Sequence, residues 1–398
     1  MERLIGTMSM GVRAPIIREG DDLVKIVTES ILNASKLHKI AIGDNDIIAI
    51  TESIVARAEG NYVTVDQVAA DVKRKFGEDL ELVVLFPILS RNRFAMCLKG
   101  IARATKKMTL VLQYPSDEVG NKLISDEDFE ESGFHDNSMV LDERLYRQNF
   151  GFKKHEFTGV DYVTYYRDLV EAENCEIRIV FANSLCDVIR LGKNFLCADI
   201  HTRKATKKYI EKHGTDKKVL TLDEICNEPI EGSGFNPTYG LLGSNKANEE
   251  RLKLFPRGGQ ELVEKVQKTI FGLTGKQVHV MVYGDGAFKD PVGKIWELAD
   301  PVVSPAHTKG LLGQPNELKL KALADGKYEK LSGEALKEAI SEEIRKKGDN
   351  LVGNMLSQGT TPRRITDLVG SLCDLTSGSG DKGTPIVWVK GYFDNYTK

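Results

Sequence analysis

The sequence is poor in cysteine, proline and tryptophan, with 6, 12 and 2 of these in 398 residues. The cysteines (Cys97, Cys175, Cys186, Cys197, Cys226, Cys373) contain no CxxC pair. In a chain of this length that speaks against a disulfide framework and for reduced thiols in a cytoplasmic setting. Charge of one sign is also lacking. With 55 basic against 58 acidic residues the formal net charge is -3, so there is no polybasic footprint for nucleic acid. Apolar runs are short: none approaches the roughly 20 residues that span a bilayer. The N-terminal Met1-Glu2-Arg3-Leu4 opens into Gly and Ser, so no apolar leader is expected.

What is present is ordinary hydrophobic content, 41%, which excludes a disordered chain. Glycine is generous, 36 residues against 12 prolines, as expected of a chain with many tight turns and close backbone approaches. At about 150 residues per domain the length allows two or three domains.

Helix and strand signals alternate. Leu23, Ile26, Val27, Ile31 and Leu32 recur at helical spacing, and Thr64 with Gln67 reads as a capping box opening a second helix. Strands are expected at 47–50, 82–86, 110–112, 177–182, 195–200, 219–222, 278–282 and 385–389. Helices are expected at about 159–172, 248–271, 333–347 and 365–373. Strand–helix alternation through the middle predicts βαβ units and a parallel sheet. No glycine dinucleotide fingerprint follows any of these strands.

Five segments are candidates for chemistry. Ser377-Gly378-Ser379-Gly380-Asp381-Lys382-Gly383-Thr384 places backbone N–H groups and one cation where an anion can converge, or else is a flexible hairpin loop. Tyr283-Gly284-Asp285-Gly286 ends an apolar strand. A carboxylate there suits Mg²⁺ beside a phosphate, the alternative being a Gly-Asp-Gly turn. Cys197, Asp199 and His201 alternate onto one strand face, either as a ligand set or as a buried Asp–His pair, and Asn183 and Ser184 offer a crevice beside Asp199. After the strand at 47–50, Arg57 and Glu59 meet phosphate and amine groups, or pair with each other. The stretch 232–245, rich in Gly, Ser and Asn, is an ordered loop that either contacts a ligand or is a structural Ω-loop.

Collinear segments resemble the coenzyme F420-0:L-glutamate ligase family, the γ-glutamyl ligases. They are Arg13-Ala14-Pro15-Ile16-Ile17 with Gly20-Asp21-Asp22, Asp46 to Asn61, Leu273 to Gly286, and Asp374 to Gly391. The resemblance implies a mixed α+β ligase-like core over 1–115 and 273–398. The middle region, 116–272, has no place in the compact family pattern and reads from its own strand–helix alternation as an inserted βαβ-type parallel-sheet domain, an α/β fold overall. The resemblance also implies a GTP-dependent ligase using Mg²⁺ or Mn²⁺, which joins L-glutamate or another amino acid to a small anionic carboxylate acceptor through an acyl phosphate. A homodimer is implied too, with neither nucleic acid nor membrane as partner. Carried over by position, the nucleotide contacts are Ala14, Pro15, Ile16, Ile17, Glu52, Ser53, Arg57 and Ser377 through Thr384. Arg57 and Asp285 are then catalytic and Asp285 holds metal, while Asp199 and Asp161 of the middle region are the candidates to replace family metal ligands that this chain lacks.

Two departures from the family pattern stand out. Gly100-Ile101-Ala102-Arg103 has alanine where the family has a ligating aspartate, and Ser379 stands where it has an acid. The alternative reading is therefore a nucleotide-binding pseudoenzyme or regulator without the metal centre.

Overall fold

The structure, a computed structural model, describes residues 4–133, 140–290, 294–357, 363–377 and 380–397. The N-terminal part runs β1 (Met8–Val12), α1 (Leu23–His38), β2 (Ile47–Thr51), α2 (Glu52–Ala58), β3 (Tyr62–Thr64) and α3 (Val65–Phe76). Next come β4 (Leu80–Leu85), α4 (Phe94–Arg103), β5 (Thr105–Leu112), α5 (Asp126–Glu131), β6 (Leu141–Asp142) and α6 (Glu143–Phe150). The chain continues through α7 (Tyr162–Glu171), β7 (Glu176–Phe181), α8 (Leu185–Val188), β8 (Asn194–Cys197), α9 (Arg203–His213) and β9 (Lys218–Thr221). A short hairpin, β10 (Asn245–Asn248) and β11 (Arg251–Lys253), precedes α10 (Gly259–Thr274) and β12 (His279–Tyr283). The last third holds β13 (Phe288–Lys289), β14 (Trp296–Glu297), β15 (Ala306–His307), α11 (Leu320–Ala322), α12 (Gly333–Lys346), α13 (Ile365–Ser377) and β16 (Ile386–Lys390).

Two larger sheets organise these elements. The first is mixed, in the order β1-β16-β2-β12-β15, with only β2 and β12 parallel. Its three central strands, β16, β2 and β12, are short apolar runs buried on both faces, as a layer between helices requires. Val27, Ile31, Val263, Val266 and Ile270 of α1 and α10 cover one face with Ile48, Ile50 and Val280, while Val369 and Cys373 of α13 cover the other with Ala49 and Met281. The buried Asp46, just before β2, ties the sheet at one end by accepting from Trp388 Nε1 at 2.9 Å and Lys390 Nζ at 2.8 Å.

The second sheet runs β6-β7-β5-β4-β8-β9, parallel except for β6. This is a doubly wound order, reversing between β4 and β8, with a crevice at the carboxyl ends of those strands. Helices α3, α4 and α7 pack on one face, α8 and α9 on the other. The parallel sheet expected for the middle of the chain is present, and it also takes in β4 and β5. Position 116, the expected start of an insertion, lies between β5 and β6 of this one sheet. The capping box forms as read: Gln67 N–H donates to Thr64 Oγ1 at 3.1 Å and Thr64 N–H to Gln67 Oε1 at 2.9 Å.

One helix begins later than its periodicity predicts. The span expected from 248 starts at Gly259, because 245–253 form the hairpin that pairs with β3, and Pro256 separates it from α10. The 232–245 loop is tied down by the protein's own backbone, within the loop and beyond it. Asn236 accepts from Thr238 and Tyr239 N–H groups and donates to the carbonyls of Phe255 and Pro256, while Leu241 and Leu242 are buried in the core.

The β4–α4 connection, residues 86–93, is pinned from two sides. Tyr166 donates its hydroxyl to Ile88 O at 2.8 Å and accepts from Ser90 N–H at 2.9 Å. Asp117 accepts from Leu89, Val119 and Asn121 N–H groups and from Asn121 Nδ2, at 2.8 to 3.0 Å. Burial nevertheless pushes its carboxyl up from 3.8 to about 6. A raised carboxyl value adds stability that is complete below about pH 4 and lost as pH rises through about 6, here at most about 3 kcal/mol. Asparagine at this position keeps one acceptor and does not titrate. Asp117→Asn is expected to lower Tm more at pH 5 than at pH 8 in paired thermal melts; equal losses at both values contradict the burial of this carboxylate.

Candidate functional site

The carboxyl ends of β2 and β12 form one rim of the mixed sheet together with the end of β1 and the start of β16. Val12 lies opposite Ile386, Ile386 opposite Ile50, and Ile50 beside Val282. Three strand spacings make this rim about 14 Å wide. Four segments leave it: 13–17, 51–53, 283–287 and 377–385. They are tied to one another, since Ala14 N–H donates to Gly383 O at 3.3 Å and Thr51 N–H to Pro385 O at 3.0 Å. The Ser377 hydroxyl donates to the Thr384 carbonyl and bonds with the buried Tyr283 phenol.

A charged cluster is built against this rim. Arg93, the residue before α4, reaches across from the parallel sheet. Its Nη2 donates to both oxygens of Asp285 at 2.9 and 2.8 Å, and its Nη1 donates to Asp300 Oδ1 at 2.5 Å. The other Asp300 oxygen accepts from Asp285 N–H at 2.8 Å. Asp300 is fully buried, and a Cβ on Gly284 would come within 2.3 Å of its Oδ2, so glycine is required there. Burial by itself would lower the Arg93 pKa. The charges of Asp300, Asp285 and Glu52 outweigh it and raise the value, so the guanidinium stays charged.

Two further carboxylates stand beside this pair. Glu52, the first residue of α2, is buried and accepts from Lys253 Nζ with both oxygens, at 2.9 and 2.7 Å. Burial pushes its carboxyl up against the opposing pull of Lys253. Asp374 on α13 accepts from Gly286 N–H at 2.9 Å, and burial raises it as well, with Asp300 adding to the rise. Two cavities open nearby. An open groove of about 1790 Å³ is lined by Val12, Arg13, Ala14, Pro15, Lys382 and Thr384 together with one side of α1. Beyond the 285–287 turn, a cavity of about 490 Å³ is lined by Ala287, Ser304, His307 and Arg364, among others.

The rim therefore brings together Ala14, Pro15, Glu52, Ser53, Asp285, Ser377 and Thr384 of the residues expected from sequence. Gly380, Asp381, Lys382 and Gly383 form the exposed turn between Ser377 and Thr384, whereas Gly378 and Ser379 lie outside the described residues. Ile17 is 3% exposed and packs in the core with Leu23 and Val27, while Ile16 is 82% exposed. Arg57 is exposed at the far end of α2, about 7 Å along the axis from Glu52. It does not pair with Glu59, whose carboxylate accepts from the Arg257 and Gly258 N–H groups at the start of α10.

Asp199 lies elsewhere, past the end of β8. Its Oδ2 accepts from Thr202 and Thr206 hydroxyls at 2.7 and 2.8 Å, its Oδ1 has no partner, and burial raises it to about 6. The expected alternation of Cys197, Asp199 and His201 ends with the strand at Cys197, and His201 turns its Nε2 to Leu298 O at 2.8 Å. Asn183 is spent on both backbone groups of Tyr114, and Asp161 caps α7 and pairs with Arg147. Gly100 to Arg103 close α4, roughly 12 Å along the helix axis from its start beside Arg93.

Sequence reading missed Arg93, Asp300, Lys253 and Asp374. The signal was there for two of them. Lys253 is a lone charge in Leu252-Lys253-Leu254-Phe255, and Arg93 follows the carboxyl end of an apolar strand. A lone charge inside an apolar run requires a buried partner.

Divalent ions such as Mg²⁺ or Mn²⁺ take carboxylate oxygens directed at one point. Both Asp285 oxygens and one of Asp300 accept from Arg93, and both of Glu52 from Lys253. Among the described residues no group of three or more His, Cys, Asp or Glu is arranged to hold a metal. The residues present do not fit the metal that the resemblance implies.

A family model described as F420-0:Gamma-glutamyl ligase matches residues 11–391. The search of curated proteins finds no match.

Removing one member of a buried ion pair strands the other, at a cost of about 3–5 kcal/mol. Lys253→Met is therefore expected to lower stability by about that amount in urea unfolding, and adding Glu52→Gln to recover much of the loss. A Lys253→Met protein as stable as wild type rules out the buried pair.

Proposed function

The chain belongs to the F420-0:gamma-glutamyl ligase family, and from that membership we propose that it is an acid–amino-acid ligase that adds L-glutamate to a small anionic acceptor of the F420-0 type. GTP is the proposed phosphate donor. Its γ-phosphoryl group passes to an acceptor carboxylate, giving an acyl phosphate and GDP. The glutamate amine then attacks the acyl carbon, the amide forms, and inorganic phosphate leaves with the electron pair of the C–O bond. The family match over residues 11–391 of 398 carries this reading.

In this proposal the groove beside Ala14, Pro15, Lys382 and Thr384 receives the nucleotide, and Arg13 and Lys382, which line it, meet its phosphates; Arg57, at the far end of α2, does not line that groove. Such cations act where charge builds on oxygen during transfer, in a setting already ordered before reaction. Asp285 positions Arg93, which faces the reacting groups as a fixed positive charge. A homodimer and a cytoplasmic location belong to the same proposal. In support of the latter, no helix among the described residues is long and apolar enough to cross a membrane.

One observation favours a second reading, a nucleotide-binding protein without transfer. The carboxylates at the rim are engaged by the chain's own cations, Arg93 and Lys253. The two readings separate in one assay: purified protein with GTP, L-glutamate and the deazaflavin acceptor, read by mass spectrometry and by phosphate release. The ligase reading predicts acceptor enlarged by one glutamyl residue, with one phosphate released per amide. Nucleotide binding without product leaves the second reading standing.

A further inference from the structure

We propose that Arg93 is a resident cation that takes the place of a divalent metal ion at the rim, so that Asp285 and Asp300 serve to hold a guanidinium and not a metal. The inference deepens the ligase reading, because the resemblance behind that reading is what leads one to expect a metal. It stands on the charge arrangement itself. Four carboxylates, Glu52, Asp285, Asp300 and Asp374, gather around two cations, Arg93 and Lys253. Like charges brought this close in a buried setting repel strongly unless a cation lies between them. Arg93 lies between two of them: its fork spans Asp285 with one nitrogen and Asp300 with the other. A guanidinium suits that position because it is planar, permanently charged and more weakly hydrated than an ammonium.

The surroundings hold this cation in place. The connection that carries it is fixed by Asp117 and Tyr166, as described above, and Arg93 N–H donates to Ser90 Oγ at 3.1 Å. Asp300 is kept in register by Asp285 N–H and by the close approach that Gly284 permits. A metal entering here must displace one arm of Arg93 from each carboxylate while the guanidinium stays buried beside it, so the site resists divalent ions.

The consequence reverses the usual expectation for an active-site variant. Deleting the arginine side chain removes the guanidinium that Asp285 and Asp300 share, and adjacent carboxylate oxygens are the ligands that hard divalent cations prefer. The variant is therefore expected to acquire metal affinity that the natural protein lacks.

The experiment is a Mn²⁺ titration followed by electron paramagnetic resonance of free Mn²⁺, with Tm measured in parallel, on wild type, Arg93→Ala, Arg93→Lys and Asp285→Asn. Wild type and Arg93→Lys are expected to leave the free Mn²⁺ signal at its buffer value. Arg93→Ala is expected to bind about one Mn²⁺ at least tenfold more tightly than wild type, with Tm rising as Mn²⁺ is added. Arg93→Ala that takes up no more Mn²⁺ than wild type overturns the proposal. So does a wild-type protein that binds one Mn²⁺ and loses it on Asp285→Asn, a result that stands even if Arg93→Ala does not fold. None of these readouts uses nucleotide or turnover. A failed ligase assay with this Mn²⁺ pattern intact removes the ligase reading alone.

Discussion

The contact between Arg93 and the two aspartates, Asp285 and Asp300, decides how the two sheets of this protein meet. Arg93 is presented by the β4–α4 connection of the parallel sheet, whereas Asp285 sits where β12 leaves the mixed sheet. Each group is expensive to bury alone, and each is paid for by the other. The rest of the site follows from that constraint. Asp300 must lie within reach of Asp285 N–H, so position 284 must be glycine. The 86–93 connection must be held still, and Tyr166 and Asp117 hold it.

A second buried pair repeats the arrangement a short way along the rim. Lys253 arrives on β11, which pairs with β3, and so the small hairpin sheet carries a cation to Glu52 at the start of α2. Both pairs join chain segments more than 190 residues apart in sequence. The rim is thus held by long-range electrostatics as well as by its apolar layers. Its carboxylates are oriented by the chain itself, and the open space lies to either side, in the groove beside β1 and in the cavity beyond the 285–287 turn. In the proposed function, substrates enter a site whose carboxylates Glu52, Asp285 and Asp300 are already paired, and the cations that meet the nucleotide line the groove.

Much of the fold was legible in the sequence because it rests on local signals. Apolar runs such as Ile47-Ile48-Ala49-Ile50 became buried strands, and Thr64 with Gln67 formed the capping box. The start of α10 was misplaced, because helical periodicity does not see that Leu252 and Lys253 pair with β3. At the rim, Asp285, Ser377 and Thr384 were legible in local signals, a carboxylate at a strand end and a glycine-rich loop, and Glu52 in the resemblance. Arg93, Asp300 and Lys253 were not, since their roles exist only once two sheets are brought together. Asp199 was drawn in by an assumed strand alternation that ends two residues earlier, at Cys197.

The central claim is that Arg93 and Asp300 are energetically coupled across the junction of the two sheets. A double-mutant cycle measures this directly: urea unfolding of wild type, Arg93→Met, Asp300→Asn and the double variant, at pH 7 and fixed ionic strength. The account predicts a coupling energy of about 2 kcal/mol or more, with the double variant less destabilised than the sum of the single ones. Losses that add to within about 0.5 kcal/mol would contradict it.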